Sequence, residues 1–212
     1  MILLAIDTAA SLCAASVHDA GSKERGRAVR DLGKGHAEHL MAVIDEALAQ
    51  AGVTFADLGA VAVSIGPGSF TGIRVGVSAA RGLALALGVP VVGVTTLEAL
   101  AFEARATVPG RAILAALDGG RGEIHAALYH ASGEELAAPA ALDAETALSL
   151  AREQDAVVTG SAADILQALA GGELEVAGCA ATADIAAYAS LASGKPLDGS
   201  RPAPLYLRSA DA

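Results

Sequence analysis

Apolar positions fall into two kinds of run along this chain. Residues 2–6 (Ile-Leu-Leu-Ala-Ile), 60–65 and 91–94 are short and unbroken, the pattern of strands buried on both faces. Residues 12–18 predict a further strand, and 27–30 a weaker one, antiparallel and near an edge. Between them the period changes. Leu40, Ile44 and Leu48 recur every four residues with Met41 and Ala47 beside them, which predicts a helix over 36–51 that Gly52 stops. A second helix spans about 71–87 and is closed by Gly88-Val89-Pro90; a third covers 97–106. The order βββαβαβα by residue 108 implies helices packed on a mainly parallel sheet. A second unit follows: strands at 112–117 and 123–129 around the turn 118–122, short helices near 144–152, 162–170 and 183–191, a strand at 156–159 and an extended tail at 204–208. Residues 131–141 are Ala-rich and weakly patterned. The junction falls near 107–110, giving an N-terminal lobe of 1–108 and a smaller C-terminal lobe of 109–212.

Composition adds three constraints. Of 212 residues, 53% are hydrophobic but only 3% aromatic, with no Trp, so the core is built from Ala, Val, Leu and Ile. The net charge of −10 makes the chain a poor nucleic-acid binder by itself, because neutralising phosphates takes clustered Lys and Arg. Cys13 and Cys179 form neither a CxxC nor a zinc pattern and read as reduced thiols of a cytoplasmic protein. The apolar start meets Asp7 at once, without a basic leader, and reads as a strand rather than a signal peptide. The longest apolar stretch is interrupted by Arg81, Gly82 and Gly88, short of the roughly 20 residues of a membrane span.

The most informative segment is Gly66-Pro67-Gly68-Ser69-Phe70-Thr71-Gly72, between a strand and a helix. Gly66 and Gly68 permit unusual backbone angles, Pro67 fixes its own φ, and Ser69 or Thr71 can cap the helix. Free N–H groups at that terminus suit an anion. The spacing nonetheless departs from a P-loop, having no Lys after either glycine, and from a dinucleotide fingerprint, having Thr71 where the third glycine belongs. A structural connection and a phosphate contact both stay open. Asp7-Thr8, at the end of the first strand, lies where α/β sheets bind ligands and equally suits a capped turn.

In the helix beyond, Gly72, Gly76, Ala80 and Ala84 form a small-residue stripe that another backbone can approach closely. Burial inside one domain and docking on another subunit both fit; in the second case the surface comprises this stripe with His36, Leu40, Met41, Ile44 and Leu48. His36 and His39 lack the pattern of a metal site, and Asp118 with Glu123 has no nucleophile–base pair beside it, so no catalytic or metal residue is assigned.

These motifs converge. Residues 2–9, His36-Ala37-Glu38-His39-Leu40, Gly66 to Arg74, Gly82-Leu83-Ala84 and Gly93-Val94-Thr95-Thr96-Leu97 resemble the bacterial TsaB (YeaZ) family, and 118–123 and 204–208 resemble its later motifs. One departure is Gly120 where the family usually has Arg, with Arg121 one place later. The resemblance implies an α/β, actin-like (ribonuclease-H-type) fold of two related lobes, the second reduced. It implies a non-catalytic part in making threonylcarbamoyladenosine at position 37 of tRNAs that read codons beginning with A. It implies pairing with a TsaD-like catalytic subunit and a TsaE-like ATPase, with ATP used by the complex, tRNA reached through the complex, and a homodimer in isolation. TsaD-like proteins carry H-x-x-x-H where this chain has Thr96 and Leu100, neither able to replace an imidazole on a metal. Two rivals stand beside this reading: an actin-like ATPase or phosphotransferase, motivated by Asp7-Thr8 and the glycine turn, and a metallopeptidase.

Overall fold

The structure is a computed structural model that describes residues 1–19, 23–199 and 201–207. The chain forms two compact units. Among the described residues, those of Met1–Thr96 and Asp184–Leu205 make the first; Leu97–Ala183 with Tyr206 and Leu207 make the second.

In the first unit, β1 (Ile2–Asp7), β2 (Leu12–Asp19) and β3 (Glu24–Asp31) form an antiparallel meander. Helix α1 (His36–Ala51) returns the chain, β4 (Leu58–Ser64) pairs parallel with β1, α2 (Phe70–Leu87) follows, and β5 (Val91–Val94) pairs parallel with β4. The sheet order is β3-β2-β1-β4-β5. Leu4 and Ile6 of β1 enter a core with Leu40, Val43 and Ile44 of α1 and Ile73 and Val77 of α2. Leu3 and Ala5 point to the opposite face by strand alternation and are equally buried. Helix α6 (Ile185–Ser193) packs on β1, β2, β4 and β5 and buries Ile185, Tyr188, Ala189 and Ala192. Its start is tied down by Asp184, which caps it through Ala186 N–H (2.8 Å) and takes both terminal nitrogens of Arg27 (2.6 and 2.7 Å).

The second unit has α3 (Thr96–Thr107) leading into β6 (Ile113–Gly120), β7 (Glu123–Tyr129) and β8 (Glu135–Asp143), a second antiparallel meander. Then come α4 (Ala144–Glu153), β9 (Val157–Thr159), α5 (Ala163–Leu169) and β10 (Val176–Gly178). The sheet order is β10-β9-β6-β7-β8, with β6–β9 and β9–β10 parallel. Element for element this repeats the first sheet, with β9 and β10 cut to three residues each. Ile124, Leu128, Leu148, Val158 and Leu166 anchor its core. The expected pair of related lobes, the second reduced, is the observed architecture.

Three expectations need correction. The units do not divide at 108/109: from Leu97 on, α3 belongs to the second unit, and the chain crosses back at Asp184 because α6 covers the first sheet. Residues 131–141, weakly patterned in sequence, contain most of β8. Its alanines carry no visible alternation, and Pro139 is accommodated on an edge strand at a register irregularity. By length and composition, α2 is apolar enough to cross a membrane; its Ile73, Val77, Ala80 and Ala84 belong to the first unit's core.

Candidate functional site

The glycine turn is built against the first hairpin. The Gly66–Pro67 peptide is cis, and Gly66 has φ 96°. A Cβ on Gly68 would collide with the carbonyl of Ala9, and Ser69 N–H donates to that carbonyl (2.7 Å). Thr8, fully buried, donates its hydroxyl to the Gly72 carbonyl (2.7 Å). A Cβ on Gly72 would meet the Thr8 carbonyl, and one on Gly76 would lie 2.5 Å from Thr8 Oγ1. Glycine is therefore required where α2 crosses the end of β1. Ser69 rather than Thr71 caps the helix, its Oγ accepting from Gly72 N–H (3.2 Å); Thr71 is exposed. Asp7 is 1% exposed, and its Oδ1 accepts Ala9 N–H (2.9 Å). The tail closes over the turn: Leu205 N–H donates to the Ile65 carbonyl (2.7 Å). Thr8 and Ala9, at the end of β1, thus contact Gly68, Ser69, Gly72 and Gly76, while Asp7 bonds to Ala9 beside them. The N–H groups of Ser69 and Gly72 have partners within the unit.

The second unit repeats the device. Gly160 (φ 107°) presses on the Ala116 carbonyl, Ala162 N–H donates to it (3.1 Å), and Ser161 Oγ accepts Asp118 N–H (3.1 Å). Asp118 Oδ1 accepts Gly120 N–H (2.8 Å), as Asp7 does with Ala9. Sequence reasoning missed this counterpart; Gly-Ser directly after an apolar run was the available signal. Arg121 (φ 56°) and Gly122 (φ 83°) are the two residues between paired Gly120 and Glu123, with the positive φ values of a type I′ turn. Gly120 also has positive φ (75°), so glycine there serves the backbone and the arginine moves to the hairpin tip.

The small-residue stripe faces inward. Gly72 and Gly76 pack on Thr8, and Ala80 and Ala84 lie in the core. Leu40, Ile44 and Leu48 lie in the same core, and His36 is buried with Nε2 3.2 Å from the Leu12 carbonyl. Of the residues expected to form a partner surface, only Met41 is exposed, at 46%. The physical reason is that close backbone approach, which small residues permit, is used inside the unit. The outward faces of α1 and α2, which pack side by side, carry different residues: Ala37 and Met41 on α1; Phe70, Arg74, Ser78, Arg81 and Leu85 on α2. Arg74 lies 3.7 Å over the Phe70 ring, and Leu85 is 81% exposed. Sequence reasoning passed over Phe70 and Leu85; apolar residues on the polar side of an amphipathic helix were the sign.

Among the described residues, no group of three or more His, Cys, Asp or Glu side chains is arranged to hold a metal ion. Cys13 is buried beside Asp7, and desolvation followed by that carboxylate pushes its thiol up to about 11. Cys179 is exposed, and its thiol is raised by a hydrogen bond to Asp164 (3.2 Å).

Two repeated β-meander units with this sheet order define an actin-like α/β protein. A solved structure from Pseudomonas aeruginosa, described as an uncharacterized protein with similarity to peptidase YEAZ, matches with a TM-score of 0.80 and 26% identity over 98% of this chain and 99% of that one. The component A of (R)-2-hydroxyglutaryl-CoA dehydratase from Acidaminococcus fermentans shares the fold alone (TM-score 0.54, 12% identity, 91% of this chain and 96% of that one). The tRNA threonylcarbamoyladenosine biosynthesis protein TsaB of Escherichia coli (strain K12) is 34% identical over 129 residues, 61% of this chain and 55% of that protein. The chain spans about half the length of the curated relatives it matches. It belongs to the family described as TsaD: tRNA N6-adenosine threonylcarbamoyltransferase, whose model matches residues 20–192, and within it to the TsaB/YeaZ type.

Proposed function

We propose that this chain acts in tRNA threonylcarbamoyladenosine biosynthesis as a non-catalytic subunit in the cytoplasm, pairing with a TsaD-like catalytic subunit and, through it, with a TsaE-like ATPase. The observation that carries this reading is the match to a YeaZ-like structure over nearly the whole of both chains, together with the curated TsaB relatives. Three features support the division of labour. Thr96 and Leu100 stand where TsaD-like proteins carry histidines, and both are buried. The glycine turn is closed by contacts within its own unit. The outer face of α1 and α2 carries three large apolar side chains in solvent, Met41, Phe70 and Leu85.

Charge supports reaching tRNA through a partner. The first unit carries nine Lys and Arg against ten Asp and Glu; the second carries five against fourteen, a net −9 that repels phosphate. Co-purification of Met41→Glu and Leu85→Glu variants with the TsaD-like subunit tests the docking face. Both substitutions are on solvent-exposed positions, so folding is expected to survive and pairing to be lost. Undiminished pairing would place the docking surface elsewhere.

A further inference from the structure

Among the described residues, most of the arginines are engaged. Arg25, Arg27, Arg30, Arg111 and Arg152 are ion-paired, and Arg74 and Arg105 lie over aromatic rings. Among the described residues, the structure gives Arg81 and Arg201 no ion pair, hydrogen bond or ring contact. Both line the same pocket of about 420 Å³, at the end of α2 and the start of β5. The rest of its wall is largely aliphatic, with Ala84, Leu85, Val89 and Pro90. Two cations with no counter-ion among the described residues, over an apolar floor and in a chain of net charge −10, form an arrangement that a complementary anion would complete.

We infer that this pocket seats an acidic–aliphatic segment of the docking polypeptide, its carboxylate taken by Arg81 and Arg201 and its neighbouring aliphatic side chain packed on Leu85, Val89 and Pro90. The inference rests on the proposed pairing with a catalytic subunit, because Arg81 and Leu85 lie on the outward face of α2. Guanidinium groups match carboxylates bidentately. RNA is the less suitable occupant: its phosphates have no apolar group to place on an aliphatic floor, and its bases stack by preference on aromatic faces, which this lining lacks. The pocket lies beside the C-terminal end of α2, whose partial negative charge disfavours an anion, so the two arginines must supply the attraction.

Titration calorimetry of the full chain with the TsaD-like subunit, at low and at raised salt, tests this. Arg81→Glu and Arg201→Glu are each expected to weaken pairing about tenfold or more and to flatten its salt dependence. Gly82→Phe plugs the pocket. Gly82 lines it, a Cβ there meets open space, and the position is exposed, so the fold should tolerate it. It is expected to weaken pairing while leaving the salt dependence in place. Thermal melts of the three variants serve as the folding control. If all three pair within twofold of the unmutated chain, this inference is overturned and the proposed function stands. If the unmutated chain does not pair, both fall. If the arginine variants pair normally but the complex loses tRNA, the pocket contacts phosphate and the inference is wrong.

Discussion

Replacing Asp184 with Ala removes two things at the point where the chain re-enters the first unit. One is the cap on α6, the Ala186 N–H bond of 2.8 Å; the other is the two-pronged pairing with Arg27. Loss of a helix cap costs about 1 kcal/mol. The ion pair is worth less than its distances suggest, because the side chains are 43% and 35% exposed and Arg27 keeps Glu24; solvent screening reduces it to about 0.5 kcal/mol. Together that is about 1.5 kcal/mol, or roughly 3–6 °C in Tm for a chain of this size. Asp184→Asn keeps an acceptor for the cap but loses the charge and, with one oxygen replaced by NH2, one of the two Arg27 hydrogen bonds, so about 1–2 °C is expected. Burial raises the Asp184 carboxyl, but the Arg27 and Ala186 hydrogen bonds outweigh it and leave it below its ordinary value. Its charge therefore stabilises the fold above the unfolded carboxylate pKa, and that contribution is lost as pH falls through the lower native value. The gap between Asp184 and its Asn variant should be full at pH 7 and shrink below about pH 4. Thermal unfolding followed by circular dichroism across this range measures it. Equal destabilisation by Ala and Asn would refute the cap, and a gap that persists in acid would refute the charge.

Two further outcomes follow from the packing. Gly76→Val drives a branched side chain into Thr8 and should cost about 1–3 kcal/mol in urea unfolding of the chain alone, without any partner present; unchanged stability would mean that the stripe is not packed as described. Native protein at pH 8 should label one thiol per chain, Cys179, and do so more slowly than a free model thiol, since its hydrogen bond to Asp164 raises it; Asp164→Ala should speed the reaction, and Cys13, pushed up to about 11, should react only after unfolding.

The first unit was largely legible because its strands are unbroken aliphatic runs and its helices repeat every three to four residues. The second was less so. Alanine fills both faces of β8 and leaves no period to read, and three-residue strands such as β10 are too short to show one. The crossing of α6 to the first unit was invisible for another reason: its anchor, Arg27, lies 157 residues away. The same holds for the stripe on α2. Sequence shows that Gly72 and Gly76 are small; it does not show that the backbone they admit is that of Thr8, 64 residues earlier, rather than another molecule's. The glycine turn was recognisable as a strand-to-helix device from residue types alone, while its fit against Ala9 is a property of the folded unit.

The proposed role is dependence without catalysis. It is tested most directly by reconstituting threonylcarbamoylation of tRNA with the TsaD-like and TsaE-like proteins, ATP and the threonylcarbamoyl donor, with and without this chain. Sustained modification is expected only when the chain is present, with none from the chain alone and loss of the effect with Leu85→Glu. Modification that proceeds equally without it, or that the chain performs by itself, would overturn the proposed role.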